Sequence, residues 1–315
     1  MDLLREEIRE FLKLSRHQPA AELRRIESRH EEGYWRSLIT YVAPDGEQIE
    51  AFLFEPEGQQ LAAAVLALHQ HNSQWEIGKS EIAGLVGDPH QAFGPALARR
   101  GVTVLAPDAI GFESRMSAAG WGTFLAPRLD KPYSTAEGWL QYYNQATHRL
   151  VRGDLLMRKM LEDCATALTV LRPLPTKPHL GVVGHSFGGN VALFLAALDT
   201  RIAFACSSGA VCSYRHKFAA GTGLEAALII PGFAARYDLE GLLRCVAPRN
   251  ILVVSSEEDP LSADAEAVVT SALPEFEAHG CSNRLEHLRT PGPHALDGVR
   301  FEAIVDWVLK QALTT

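Results

Sequence analysis

The chain has 315 residues, of which 47% are hydrophobic and 22% are charged, and its formal net charge is −8. This length and apolar content suffice for one large core in one or two domains. The acidic charge is dispersed and no block of basic residues is present, which argues against nucleic acid as a partner.

Cysteine usage and hydropathy bear on the cellular compartment. The cysteines of the chain are Cys164, Cys206, Cys212, Cys245 and Cys281. None forms a C-x-x-C pair, and their odd number predicts reduced thiols in a cytoplasmic protein rather than a disulfide framework. The beginning of the chain is rich in charged residues, so we expect no signal peptide. No apolar run approaches the length of a membrane span, so we expect no membrane partner.

The N-terminal region carries apolar residues at helical spacing between Leu3 and about Ser28, which predicts one or two amphipathic helices. We therefore treat residues 1–35 as an N-terminal helical extension, which lies on the surface of the main domain or forms a homodimer contact. Residues 38–43 and 49–54 follow as two strands around a Pro-Asp-Gly-Glu turn, the pattern of an antiparallel hairpin.

Strands and helices alternate from residue 61 onward. Short apolar runs predict strands at 61–68, 102–106, 180–183, 202–206, 250–255 and 284–288. Helices are predicted at 91–100, 150–171, 187–198, 239–246, 263–279 and 296–312. Pro274 lies inside one of these helices, and we expect a break there. The alternation predicts an α/β protein with a doubly wound, mostly parallel sheet and helices on both faces.

Residues 36–315 then form one domain with two irregular insertions, near 111–147 and 208–240. The first insertion is rich in aromatic residues and follows the carboxyl end of a predicted strand. Long irregular segments in this position often cover a functional site. We therefore expect both insertions to lie over the site.

The motif G-H-S-F-G at residues 184–188 joins a buried strand to a helix rich in alanine and leucine. Such a turn forces its central serine into a strained backbone and presents the hydroxyl at the edge of the sheet. The N–H of the next residue opens the helix and points to where an oxyanion would form. Ser186 is therefore the predicted nucleophile, and Phe187 supplies one oxyanion donor.

A serine hydroxyl needs a base to take its proton and a third group to orient that base. In this architecture the acid and then the histidine follow the serine, each just beyond a later strand. Asp259 follows the strand at 250–255, and Glu258 is the fallback for the same role. His294 lies in a Pro/Gly-rich loop before the last helix and is the predicted base, whereas His287 would be within a strand.

The second oxyanion donor is expected in the loop that follows the strand ending at Leu68, where Gln70 offers a backbone N–H. His69 and His71 flank Gln70 and could instead form a metal pair, since residues i and i+2 share a face of a strand. Two histidines without a third nearby ligand are weak evidence for a metal. We expect them to shape the oxyanion loop and the protein to use no metal.

The order of several short segments along the chain is more specific than any one motif. These segments are 68–70, 78–85, 105–108, 111–115, 183–189, 197–202, 230–232, 247–249, 258–260 and His294. Together they resemble the α/β-hydrolase fold and, within it, the branch of dienelactone hydrolases and acetyl xylan esterases. The resemblance spans roughly residues 50 to 310 and leaves the N-terminal region unexplained.

This resemblance implies a Ser186, Asp259 and His294 triad, an oxyanion hole from the N–H groups of Gln70 and Phe187, and hydrolysis of a small carboxylic ester without a cofactor. Two departures bear on the reaction. The loop His69-Gln70-His71-Asn72 replaces the H-G-G-G type, and the nucleophile is serine where true dienelactone hydrolases have cysteine. Simple ester cleavage is therefore favoured over lactone opening.

Two other readings of the same pattern stay open. A serine peptidase or amidase of this fold would share the triad, and a non-catalytic member would only bind a ligand. Aromatic and histidine side chains in the loops suggest an apolar substrate or the face of a sugar. The candidates for substrate binding are His69, His71, Trp75, Trp121, Tyr133 and Phe233.

Overall fold

A nine-stranded sheet runs through the molecule in the order β1-β2-β3-β5-β4-β6-β7-β8-β9. The computed structural model describes residues 2–15, 20–116, 135–172 and 179–314, and the side chains of 135–137 lie outside the description. The strands are β1 Arg24–Glu31, β2 Tyr34–Val42, β3 Gln48–Pro56, β4 Ala63–Leu68, β5 Thr103–Pro107, β6 His179–His185, β7 Ile202–Ser208, β8 Asn250–Ser256 and β9 Leu285–Thr290. The strands β1, β2, β3 and β5 pair antiparallel, and β4 to β9 are parallel to one another.

The helices cover both faces of this sheet. They are α1 Asp2–Phe11, α2 Lys79–Ile82, α3 Phe93–Ala98, α4 Thr135–Val151, α5 Leu156–Leu171, α6 Phe187–Leu198, α7 Tyr214–Ala220, α8 Asp238–Val246, α9 Ala265–Ala278 and α10 Gly298–Leu313. Short 3₁₀ turns lie at Pro89–Gln91, Glu113–Arg115, Ala226–Leu228 and Ser282–Arg284. Within the described ranges no helix is long and apolar enough to span a membrane.

Strand β4 shows why the sheet must be covered on both sides. All six of its residues are buried. Ala64, Leu66 and Leu68 pack into one core cluster, with α1, α5, α6, α8 and α9. The alternate residues pack into a second cluster, with α3 and α10. Because successive strand residues point to opposite faces, an unbroken apolar run requires two layers of helix, and the predicted doubly wound sheet is confirmed.

The N-terminal prediction is only half right. Helix α1 ends at Phe11, but Arg24–Glu31 form an edge strand that pairs with β2 instead of a second helix. Seven of the eight residues of β1 are exposed, so the strand shows no apolar period that sequence reading could detect. Backbone pairing and the Arg25–Glu55 ion pair, at 2.6 Å, hold it in place. The charges also protect this edge against pairing with another chain.

Three further features of the helices differ from the predictions. Residues 135–151 of the first insertion are helical, as are residues 214–220 of the second. The predicted helix at 150–171 begins only at Leu156, after a turn in which Gly153 has a φ of 72°. Pro274 does not break α9, which continues to Ala278. Pro274 lies on the exposed side, where water can hydrate the carbonyl that loses its helical partner.

Helix α1 is bound to the ends of two other helices through Arg5. Its guanidinium donates to the carbonyl oxygens of Ala197 at 3.0 Å and Cys245 at 2.8 Å. These carbonyls belong to the last turns of α6 and α8. Carbonyls at the end of a helix have no helical N–H partner, and they attract a cation. Ile8 and Leu12 of the α1 region are fully buried. Helix α1 therefore packs on the main domain, and a homodimer contact through this region stays a prediction.

Replacing Arg5 with alanine should lower the free energy of unfolding by about 2 kcal/mol, because the buried carbonyl of Ala197 loses its charged donor and that of Cys245 keeps only Arg249. Urea denaturation followed by circular dichroism measures the change. The control is Arg29→Ala, which removes an exposed arginine of β1 and should change stability by less than about 0.5 kcal/mol. Equal stability of the two variants would contradict the role given to Arg5.

Candidate active site

Ser186 lies at a sharp turn between β6 and α6. Its φ is 56° and its ψ is −121°, a conformation that L-residues adopt only where the surroundings impose it. The N–H of Ser186 donates to the carbonyl of Ser208 at 2.7 Å, which ties the turn to the end of β7. The side chain is half-buried. Its hydroxyl is therefore fixed at the carboxyl edge of the parallel strands.

Two glycines allow this turn by their lack of a side chain. A Cβ on Gly184 would lie 2.3 Å from the backbone of Gly188. A Cβ on Gly188 would lie 2.2 Å from the carbonyl oxygen of Leu68. The first glycine lets the turn close, and the second lets α6 begin directly against the end of β4. The loop that carries Gln70 is thereby brought to the helix start.

The structure brings the three predicted catalytic residues together. The Nε2 atom of His294 lies 2.7 Å from the Oγ of Ser186, and its Nδ1 atom lies 3.0 Å from Oδ1 of Asp259. The carboxylate therefore lies within contact distance of the imidazole and can stabilise the ring when it is protonated. Contacts between catalytic groups often tighten when substrate binds. The histidine side chain is 29% exposed, which leaves room for water beside it.

Asp259 is held as an ionised carboxylate. Burial acts to raise its pKa, but contacts from His294, Ser262 and Leu261 stabilise the charge and lower the pKa on balance. The hydroxyl of Ser262 donates to Oδ2 at 2.6 Å, and the N–H of Leu261 donates to Oδ1 at 2.8 Å. The fallback Glu258 is exposed. Asp259 is therefore the carboxylate that can orient and stabilise the imidazole.

A second imidazole lies against the first, and sequence reasoning did not find it. The ring centroid of His185 is 4.9 Å from that of His294. His185 is fully buried, and its Nδ1 lies 3.0 Å from the Oγ of Ser208. Burial, together with the nearby His294, lowers the pKa of His185 to about 3, so it packs as a neutral ring. His287, by contrast, lies within β9 as expected and contacts Ser255.

The Gln70 loop is fixed from both sides. His69 donates from Nδ1 to the carbonyl of Gln70 at 2.7 Å, and its Nε2 accepts from the N–H of Ala109 at 3.1 Å. The side-chain amide of Gln70 donates to Oε1 of Glu81 at 2.9 Å. His69 is 2% exposed with both nitrogens occupied, so it shapes the loop, as expected, and does not meet a substrate.

The loop is also anchored by a buried cluster of charges that sequence reasoning missed. The Nζ atom of Lys79 lies 2.7 Å from Asp108 and 2.7 Å from Glu113. Burial disfavours the charged amine, but the two carboxylates raise the pKa of Lys79. The segments around 78–85, 105–108 and 111–115, noted only for their order in the chain, meet in this cluster. It fixes α2 to the end of β5.

The remaining substrate candidates have different positions. His71 and Trp75 pack together, with ring centroids 5.2 Å apart, and His71 also contacts Phe187. Trp75 is 3% exposed, which contradicts its prediction as a substrate contact. Burial lowers the pKa of His71 to about 4, so this ring is neutral. The prediction for Phe233 is wrong: the ring is fully buried in the core against Phe194, because its loop folds beneath α6. Trp121 and Tyr133 lie outside the described residues.

The described part of the chain contains no group of three or more histidine, cysteine or acidic side chains arranged to hold a metal ion. His69 and His71 each use Nδ1 within their own loop. The contacts of Ser186, His294 and Asp259 have the geometry that acyl transfer requires of a nucleophile, a base and an orienting acid.

No protein-family model matches the chain, and no curated protein matches its sequence. Solved structures do match. A Bacteroides fragilis protein assigned as an acetyl xylan esterase has a TM-score of 0.74 at 15% identity, over 98% of this chain and 86% of its own. A glucuronoyl esterase from Solibacter usitatus has a TM-score of 0.67 at 15% identity, over 98% and 92%.

An acetyl xylan esterase from Thermoanaerobacterium sp. is also similar, with a TM-score of 0.56 at 15% identity, over 98% of this chain and 92% of its own. At such low identities the likeness concerns the fold. It confirms the expectation drawn from the order of the sequence segments: the chain has the α/β-hydrolase fold.

Proposed function

We propose that the protein is a serine hydrolase that cleaves a carboxylic ester through an acyl-enzyme. The observation that carries this proposal is the line of contacts from Ser186 to His294 at 2.7 Å and from His294 to Asp259 at 3.0 Å. The line ends at a strained turn beside the start of a helix, which begins at Phe187. A role confined to ligand binding would not require it.

The first half of the reaction forms the acyl-enzyme. His294 takes the proton from Ser186 as the hydroxyl oxygen attacks the ester carbonyl. The N–H groups of Gln70 and Phe187 bind the oxyanion, and each donor stabilises it by about 3 kcal/mol. The C–O bond of the ester then breaks, and the alcohol leaves with the proton from His294. Asp259 stabilises the imidazolium throughout.

Water completes the cycle by the same route. His294 accepts a proton from the water molecule as its oxygen attacks the acyl carbonyl, and the released proton returns to Ser186. The neutral ring of His185 adds no positive charge beside His294. The protein's own residues supply each of these proton transfers, and the proposed reaction uses no cofactor.

An ester on a carbohydrate is the substrate class that we propose. Its support is that the similar solved structures are named acetyl xylan esterases and glucuronoyl esterases. We also propose a cytoplasmic location. Its support is that all five cysteines are free and buried, as expected of reduced thiols. A homodimer stays a proposal without further support.

The substitution Ser186→Ala should lower kcat by about 10⁴-fold or more, because the alanine cannot form the acyl-enzyme. The measurement is hydrolysis of p-nitrophenyl esters from acetate to dodecanoate, with p-nitroacetanilide as the matching amide. Ser271→Ala is the control, since this exposed serine bonds only within α9. Unchanged ester hydrolysis in Ser186→Ala would contradict the proposal, and cleavage of the amide alone would favour a peptidase or amidase.

The contact between Gln70 and Glu81 should matter for the transition state. The substitution Glu81→Ala frees the Gln70 side chain, which loosens the oxyanion donor and should lower kcat about tenfold with little change in KM. Steady-state kinetics on p-nitrophenyl acetate separates the two parameters. Glu81→Gln keeps an acceptor for the amide and should restore most of kcat. An increase in KM at constant kcat would show that Glu81 does not position the donor.

A further inference from the structure

Helix α4 packs one of its faces directly against the candidate active site. A Cβ added to Gly138 would lie 2.7 Å from the Cβ of Trp75, so the helix backbone touches the oxyanion loop. One turn later Tyr142 is 2% exposed, and its ring centroid lies 6.3 Å from that of Phe187. The hydroxyl of Tyr142 donates to Glu225, which ties the helix to the second insertion. This face of α4 therefore has a fixed position relative to Ser186.

The neighbouring face of the same helix carries an exposed pair of aromatic rings. Trp139 follows Gly138, and Tyr143 follows Tyr142. The two rings therefore lie about a quarter turn around the helix from the packed face. Trp139 is 50% exposed and Tyr143 is 42% exposed. Their ring centroids are 5.3 Å apart and their planes differ by 14°, so the rings are stacked. We call this pair the α4 aromatic stack.

The position and shape of the α4 aromatic stack indicate a ligand. Exposed apolar patches at the rim of a site usually mark a contact with substrate or partner. The outer face of the stack is flat, and its indole N–H and phenol hydroxyl give it polar edges. A flexible acyl chain typically binds in a concave, closed pocket instead. A sugar ring has an apolar face of C–H groups and a rim of hydroxyls, which matches a flat ring with polar edges.

We propose that the α4 aromatic stack binds a sugar ring next to the scissile ester. This inference rests on the proposed function and deepens it, because it assigns residues to the carbohydrate part of the substrate. The sugar's C–H groups lie on the outer face of the stack, and its hydroxyls stay in contact with water. The fixed packing of α4 on Trp75 and Phe187 then holds the ester linkage toward Ser186.

The chain offers a matched control for an exposed tryptophan. Trp35 is 44% exposed and also contacts another ring, that of His30. It lies near the beginning of β2. Strand β2 is antiparallel to β3, and β3 is antiparallel to β5, so β2 runs in the same direction as β5 and the other parallel strands. The start of β2 is therefore at the amino edge of the parallel strands, on the side opposite Ser186. Loss of Trp35 removes a similar area of exposed ring far from the site.

The test compares two substrates in the full-length protein. One is p-nitrophenyl acetate, which has no sugar, and the other is acetylated xylotriose. The substitution Trp139→Ala should lower the ratio of kcat/KM for the sugar ester to that for p-nitrophenyl acetate by about tenfold. Trp139→Phe keeps a flat ring and should restore most of the ratio, and Trp35→Ala should leave it unchanged.

Several results would overturn the inference. An equal loss on both substrates in Trp139→Ala would show a structural role, and no loss on either would show that the stack is not used. A selective loss on p-nitrophenyl dodecanoate would assign the rings to an acyl chain. A wild-type protein that cleaves p-nitrophenyl acetate but not the sugar ester would also contradict it. Absence of any hydrolysis that depends on Ser186 would instead reject the proposed function itself.

Discussion

The candidate site depends on one close backbone approach, between the start of α6 and the end of β4. The Cα of Gly188 lies so near the carbonyl oxygen of Leu68 that a Cβ there would be 2.2 Å away. This approach places the end of β4 against the start of α6, next to the strained turn at Ser186. A larger residue at position 188 would force the start of α6 away from the end of β4 and from the loop that carries Gln70. The geometry proposed for the oxyanion is therefore a property of the backbone.

Buried charges keep the surrounding loops in one arrangement. Lys79, Asp108 and Glu113 fix the loop after β4 to the end of β5. A second cluster joins Arg115 to Asp163 at 2.9 Å and to Glu47 at 2.6 Å, which ties the loop after β5 to α5 and to the β2–β3 turn. Buried ion pairs add little net stability, since desolvation offsets much of their attraction. Their effect here is to specify where each loop lies, and thus where α4 and the oxyanion loop meet.

The sequence predicted the parts of the molecule that follow from local chemistry. Unbroken apolar runs identified the buried parallel strands, and the glycines around Ser186 identified the turn. His294 was found because a Pro/Gly-rich loop follows the last strand. The edge strand β1 was missed because its exposed residues show no apolar period, although it forms a hairpin with β2, the next strand in the chain.

Side-chain direction was the main feature that the sequence did not reveal. Phe233 and Trp75 both lie in loops and both are buried, Phe233 against Phe194 and Trp75 against His71. His185 reaches His294 only because β6 and the loop after β9 lie near each other in the folded sheet. The cluster around Lys79 joins three segments that are separate in the chain. Such relations depend on tertiary packing, which no local pattern encodes.

The measurement that tests the account most directly is covalent labelling with diethyl p-nitrophenyl phosphate, which reacts with a serine activated by a nearby base. Mass spectrometry of the intact protein and of its peptides gives the number and the position of adducts. We predict a single diethylphosphoryl group on Ser186, formed at a rate that falls steeply in His294→Ala. A folded protein that stays unlabelled, or that is labelled at another residue, would contradict the assignment of Ser186 and His294 as nucleophile and base.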